Sequence, residues 1–108
     1  MIPIDFNGLD TTVHGPVRLG VLTALQIDKE LDFTTLKKRL NTKDGSLGMH
    51  LQKLEEIGYI TAQKTFVGRR PKTTYRLTPA GRKALVNYLD SMSKLIEAVN
   101  SARADRQE

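Results

Sequence analysis

Residues 57–89 contain no Asp or Glu, yet they carry Lys64, Arg69, Arg70, Lys72, Arg76, Arg82 and Lys83. The other 75 residues hold ten basic and twelve acidic side chains, so the whole net charge of +5 comes from this one window. At its centre Gly68, Arg69, Arg70, Pro71 and Lys72 form a tip between two runs rich in β-branched and aromatic residues. The chemistry open to such a tip is electrostatic. Guanidinium and ammonium groups crowded on a hairpin neutralise phosphates, and an otherwise balanced domain with one such surface suits a polyanion. A merely solvated loop has the same composition, so the neighbouring elements must decide.

Other chemistry is poorly supplied. There is no cysteine, hence no disulfide, thiolate metal site or cysteine nucleophile. His14 and His50 are the only histidines and fall on different helices, which makes each a local hydrogen-bonding group rather than half of a zinc site. Glu55 and Glu56 are adjacent on a helix and point apart, as a solvated pair does. No phosphate-cradling glycine loop, nucleophile elbow or dinucleotide fingerprint is present. The sequence therefore calls for no cofactor, no metal and no catalysis.

The elements that must position the basic tip are legible from periodicity. At 108 residues and 39% hydrophobic, the chain suits one globular domain. Residues 1–13 read as an irregular leader, too short and too acidic for a signal peptide. No apolar run approaches the ~20 residues that span a bilayer, so the expected compartment is the cytoplasm. A first helix begins at Pro16, with Val17, Val21, Leu22 and Leu25 on one face. The charged residues Asp28, Lys29 and Glu30 break its pattern. An extended piece, Leu31–Phe33, leads to a short helix capped by Thr34 or Thr35, with Leu36 and Leu40 inward. After a turn at residues 41–45, a third helix starts at Lys43 or Asp44 and runs to Ile57, burying Leu47, Leu51 and Leu54. Gly58 ends it. Two strands around the basic tip make a hairpin on which Tyr59, Phe66 and Tyr75 are expected to pack. Thr78 and Pro79 then open a last helix reaching about Ala102.

Helix, strand, helix, helix, strand, basic loop, strand, helix is the layout of a winged helix-turn-helix: mainly α, with a small antiparallel sheet and a long C-terminal helix. The stretches 14–25, 31–40, LGMHLQKLEEIGYI (47–60) and FVGRRPKTTYRLTPAGRKAL (66–85) carry a more particular likeness. In series they resemble the small winged-helix transcriptional regulators of bacteria and archaea, near the MarR and ArsR families. The resemblance implies a third helix in the major groove of double-stranded DNA and a wing on phosphates or in the minor groove. The residues themselves supply matching chemistry. Gly45, Ser46, Met49 and Lys53 lie outward on the third helix, with Lys43 at its start and His50 at its edge. Ser can bond a base or phosphate, and Met can touch a thymine methyl. Thr34 and Thr35 at a helix N-terminus can meet a phosphate, and Arg69, Arg70, Lys72 and Arg76 furnish the wing. The chain departs from the family pattern at Lys43, where Thr or Ser is usual. Gly45 and Gly48 also lower helicity by roughly 1 kcal/mol each relative to Ala.

The last helix adds a second surface. Leu85, Leu89, Met92, Ile96 and Val99 are spaced 4, 3, 4, 3, an a/d seam, and Tyr88 and Leu95 widen it. Packing back onto the first helix would use part of such a stripe. Its persistence beyond a small core instead implies a homodimer on a pseudo-palindromic operator. The expected division is thus a leader (1–13), a winged-helix core (14–78), a dimerisation helix (79–103) and a polar tail (104–108). The expected function is a sequence-specific regulator, a repressor acting by occupancy. An effector ligand, if one binds, would sit between the first and last helices, since there is no separate sensor domain. The alternatives are a winged-helix protein-interaction module and an architectural protein binding nucleic acid without sequence preference.

Overall fold

The computed structural model describes residues 4–106. Along the chain lie α1 (Pro16–Asp28), β1 (Glu30–Asp32), α2 (Phe33–Leu40), α3 (Asp44–Ile57), β2 (Ile60–Val67), β3 (Arg70–Leu77) and α4 (Pro79–Asp105). The three strands form one antiparallel sheet in the order β1-β3-β2. This is the expected winged helix-turn-helix with a long final helix. Of the terminal segments read from sequence, residues 1–3 and 107–108 lie outside the described residues, and helix α4 continues through Ala104 and Asp105.

Local chemistry explains most boundaries. Pro16 sits in the first turn of α1, which runs on to Asp28. The start of α2 corrects the expected cap. Asp32, not Thr34 or Thr35, is the N-cap, and its carboxylate accepts the Thr35 N–H at 3.0 Å. A carboxylate there satisfies an orphan donor and also meets the positive end of the helix dipole, which a hydroxyl does less well. Consequently β1 ends at Asp32, one residue before the expected strand end. The helix-turn-helix joint is three residues, with Asn41 in the left-handed region at φ 49. Lys43 precedes α3 in an extended conformation and gives no side-chain cap.

The end of α3 and the start of α4 are tied together. Gly58 terminates α3 at φ 92. The Thr78 hydroxyl donates to the Gly58 carbonyl at 2.6 Å, and the same oxygen accepts the Gly81 N–H at 2.9 Å as the α4 cap. Thr78 N–H donates to the Tyr59 carbonyl at 3.0 Å. One threonine thus ties the end of α3 to the start of α4.

The core gathers Val21, Leu22 and Leu25 of α1, Leu36 of α2, Leu47, Leu51 and Leu54 of α3, Ile60 and Tyr75 of the sheet, and Leu85 and Tyr88 of α4. Val13 joins them, fully buried, from the stretch expected to be an irregular leader. The chain is fastened here at two further points, Asp10 within that stretch and His14 just after it. The Tyr59 hydroxyl donates to Asp10 at 2.7 Å, and His14 Nδ1 shares a hydrogen with the Tyr88 hydroxyl at 2.8 Å. His14 is therefore a hydrogen-bonding group within the fold. The molecule measures 62 × 25 × 22 Å, and the 27 residues of α4 extend about 40 Å.

Asp10 gives the fold a pH dependence. Burial pushes its carboxyl up, but hydrogen bonds from Tyr59, Thr12 and Val13 together outweigh this and hold it below the usual carboxylate range. A group whose folded pKa is depressed stabilises the fold above its unfolded value and loses that contribution as pH falls through the folded one. Asp10→Asn is therefore expected to lower stability by about 1 kcal/mol at pH 7. The gap should close as pH falls below about 4. Urea midpoints of both proteins at pH 7 and pH 3 check this; a gap constant with pH would exclude the carboxylate as its cause.

Candidate nucleic-acid interface

Helix α3 presents a clean division. Leu47, Leu51 and Leu54 point into the core. At 100° per residue, Gly45, Met49, Gln52 and Glu56 then centre the opposite face, with Lys53 beside them and Ser46 and His50 toward the edge. Met49 is a large apolar side chain that stands 61% exposed on this face. Gly45 and Gly48 have open space where a Cβ would stand, so neither packing nor positive φ within the chain requires a glycine. Gln52 was not singled out by residue type, yet its angle on the helix places it in the outward row. Its amide donates to Glu56 at 3.4 Å, leaving its carbonyl free for other partners.

His50 is oriented from another element. Arg18 of α1 donates from Nε to His50 Nδ1 at 3.0 Å. A guanidinium only donates, so Nδ1 must be the acceptor and the imidazole proton sits on Nε2. His50 thus offers an N–H donor outward, and Arg18 brings a cation to the edge of α3. The 32 residues separating the pair leave no local signal for Arg18 in the sequence.

The wing is tighter than expected. Gly68 and Arg69 alone make the turn, Gly68 at φ 65, and β3 already begins at Arg70. Positive φ at the first position of a two-residue hairpin loop is what glycine supplies there. In register, Arg70 faces Val67, Lys72 faces Thr65 and Arg76 faces Thr61. Arg70, Lys72 and Arg76 therefore share one face of β3 by the two-residue alternation. Phe66, expected to pack on the sheet, does not: it is 73% exposed, because the hairpin has already overrun the core. Tyr75 is buried and Tyr59 half-buried, as expected.

Charge is distributed unevenly along this face. At its base Arg76 pairs with Glu30 across the strands at 3.0 Å. That hydrogen bond, with a second from Thr74, holds the Glu30 carboxyl below its usual range. Asp32 is held low first by the Thr35 hydroxyl, and also by the Thr35 N–H and the nearby charge of Lys72, against the opposing effect of burial. Thr35 is thus engaged with Asp32, whereas Thr34 is exposed and lines a groove with Val67, Arg70, Pro71 and Lys72. Lys43 is exposed beside the Lys37–Asp44 ion pair of 2.7 Å that spans the helix-turn-helix joint. Among the described residues Arg69, Arg70 and Lys64 have no carboxylate partner. The base of the wing is self-neutralised and its end is not. The described residues also contain no cluster of metal-ligating groups, and no helix among them is long and apolar enough to cross a membrane.

A helix with an exposed outward face, a capped helix before it and a cationic hairpin beside it are the parts of a winged-helix nucleic-acid-binding domain. Comparison with known proteins agrees: the model of the winged helix DNA-binding domain family matches residues 17–96, and the chain belongs to that family. An uncharacterised protein of Methanocaldococcus jannaschii is 38% identical over 79 residues, which cover 73% of this chain and 86% of that one. A transcriptional regulator homologue from Pyrococcus horikoshii OT3 superposes with a TM-score of 0.76 at 27% identity, over 82% of this chain and 87% of its own. A protein from Enterococcus faecalis V583 assigned to the MarR family of transcriptional regulators shares the fold, with a TM-score of 0.69 at 24% identity over 88% and 84% of the two chains. The family is one of DNA-binding domains, and the fold is shared with proteins described as transcription regulators.

Proposed function

We propose that the protein is a sequence-specific transcription regulator that binds double-stranded DNA as a homodimer and represses by occupying its operator. The observation that carries this reading is the pairing of two surfaces without internal explanation. One is the outward face of α3, with exposed Met49 and two glycines that the fold does not require. The other is the unpaired cationic end of the wing. Met49, Ser46, Gln52 and the His50 Nε2–H offer contacts to base edges. Gly45 lets the α3 backbone approach the duplex closely. Lys43, Lys53, Arg18, Arg69, Arg70 and Lys72 neutralise phosphates, while Arg76 acts mainly within the sheet.

The test is selection of bound sequences from a random duplex pool. A recovered consensus with two inverted half-sites is expected. Uniform recovery would favour an architectural protein, and no duplex binding would favour a protein-interaction module. The wing makes a separate prediction. Arg69→Ala combined with Arg70→Ala should weaken binding to every duplex and lower the slope of log affinity against log salt by about two. An unchanged slope would remove the wing from the interface.

A further inference from the structure

We propose that the wing ends in an apolar wedge, Phe66 backed by Pro71, which enters the minor groove, opens a base step and bends the duplex. This rests on the reading of the protein as a duplex-binding regulator and assigns it a further activity on DNA.

Phe66 and Pro71 are directly opposite each other in the β2–β3 register, one pair from the turn. Both are exposed, Phe66 at 73%, and Val67 beside them is 63% exposed on the other face of the hairpin. The alternation along β2 explains the position. Ile60 and Ala62 face the core, and Lys64 and Phe66 continue the same face beyond it. A proline opposite Phe66 restricts the backbone and adds a second apolar surface behind the ring. Left in water, this end of the hairpin would expose an aromatic ring with no structural return.

The charges around the wedge select its occupant. Lys64 lies two residues before Phe66 on the same strand face. Arg69 and Arg70 follow it around the turn without carboxylate partners among the described residues. An apolar tip ringed by cations fits a surface that is anionic at its rim and apolar within. The minor groove is such a surface, with phosphates along both edges and stacked bases between them. Apolar wedges in that groove unstack base steps and bend the helix away, most readily at flexible pyrimidine–purine steps. The turn is narrow, since only Gly68 and Arg69 bridge the strands, so the hairpin end can enter a groove about 6 Å wide once it is locally opened.

The experiment measures bending by energy transfer between dyes at the two ends of a duplex taken from the random-pool selection. Wild type should shorten the end-to-end distance. Phe66→Ala should abolish the shortening and weaken binding on the order of tenfold. The salt slope should stay as in wild type, because no charge is lost. Phe66→Leu, which keeps an apolar wedge, should retain most of the bend. Circular dichroism confirms folding, and an exposed side chain gives no reason for its loss. Wild type bound without bending, or equal bending by Phe66→Ala, would overturn the wedge while leaving the regulator reading intact. So would a Phe66→Ala defect seen only in self-association or in binding to anionic lipid vesicles. No duplex binding by wild type would overturn both.

Discussion

Alanine at position 81 is expected to destabilise the fold by about 3 kcal/mol, although it adds a single methyl group. Its Cβ would stand 2.0 Å from the Tyr59 carbonyl oxygen and 2.8 Å from the carbonyl carbon. Both are backbone atoms, so no side chain can swing aside. Nor can the backbone retreat freely. The Tyr59 carbonyl accepts Thr78 N–H, Gly58 accepts the Thr78 hydroxyl, and the same hydroxyl caps Gly81. Opening the crossing breaks several of these bonds at once. Helix propensity works in the other direction, favouring Ala by about 1 kcal/mol, and is too small to win. Gly45→Ala is the control. It lies in a helix with open space around the new Cβ and is expected to gain up to about 1 kcal/mol. Denaturant midpoints of the three proteins decide the matter. A neutral or stabilising shift for Gly81→Ala would mean that the approach of α4 to the Tyr59 backbone is looser than its geometry indicates.

The parts of the molecule that were legible in sequence are those governed by neighbours along the chain. Leu47, Leu51 and Leu54 announce the buried stripe of α3 by spacing alone. Gly58 and Thr78–Pro79 mark helix ends because their conformational preferences are intrinsic. Apart from the α2 cap, a local choice of Asp32 over Thr34 or Thr35, the misjudged features depend on what lies across space. Thr34 and Thr35 are good caps in isolation, but Asp32 is better placed to combine cap and dipole. Phe66 alternates with Lys64 and Ala62 as any packed strand residue would, and nothing in that alternation reveals where the core beneath ends. Val13 is a lone apolar residue before His14, Gly15 and Pro16 and has no periodic partner, so its complete burial is purely tertiary. The same holds for Arg18, found only through His50. For the candidate interface, the charge asymmetry located the wing, whereas the neutralisation of Arg76 by Glu30 required the register of β1 against β3.

Glutamate at position 96 is expected to reduce affinity for a two-half-site operator by a factor of about 10²–10⁴, the linkage that a dimer provides. The heptad spacing treats Leu85, Leu89, Met92, Ile96 and Val99 alike, but the fold separates them. Leu85 is 1% exposed in the monomer core and Met92 packs against that core, whereas Leu89, Ile96 and Val99 are 46, 54 and 58% exposed. The surface open to a second copy therefore begins at Leu89 and runs outward along the projecting half of α4. Leaving each such side chain in water forfeits part of the roughly 1.5–3 kcal/mol that full burial would contribute. Ile96 lies beyond the domain's own packing, so Ile96→Glu should not disturb the monomer. Across a two-fold axis it would place two carboxylates close together or bury them unpaired, which opposes association. Sedimentation should show the wild type as a dimer at micromolar concentration and the variant as a folded monomer. Half-site binding by the variant should persist. Leu85→Ala separates the two roles of the stripe, since it should cost roughly 2–5 kcal/mol of folding stability through the core rather than act at the seam. A wild-type monomer under the same conditions would leave Leu89, Ile96 and Val99 without a partner in this chain and would require each recognition helix to act alone.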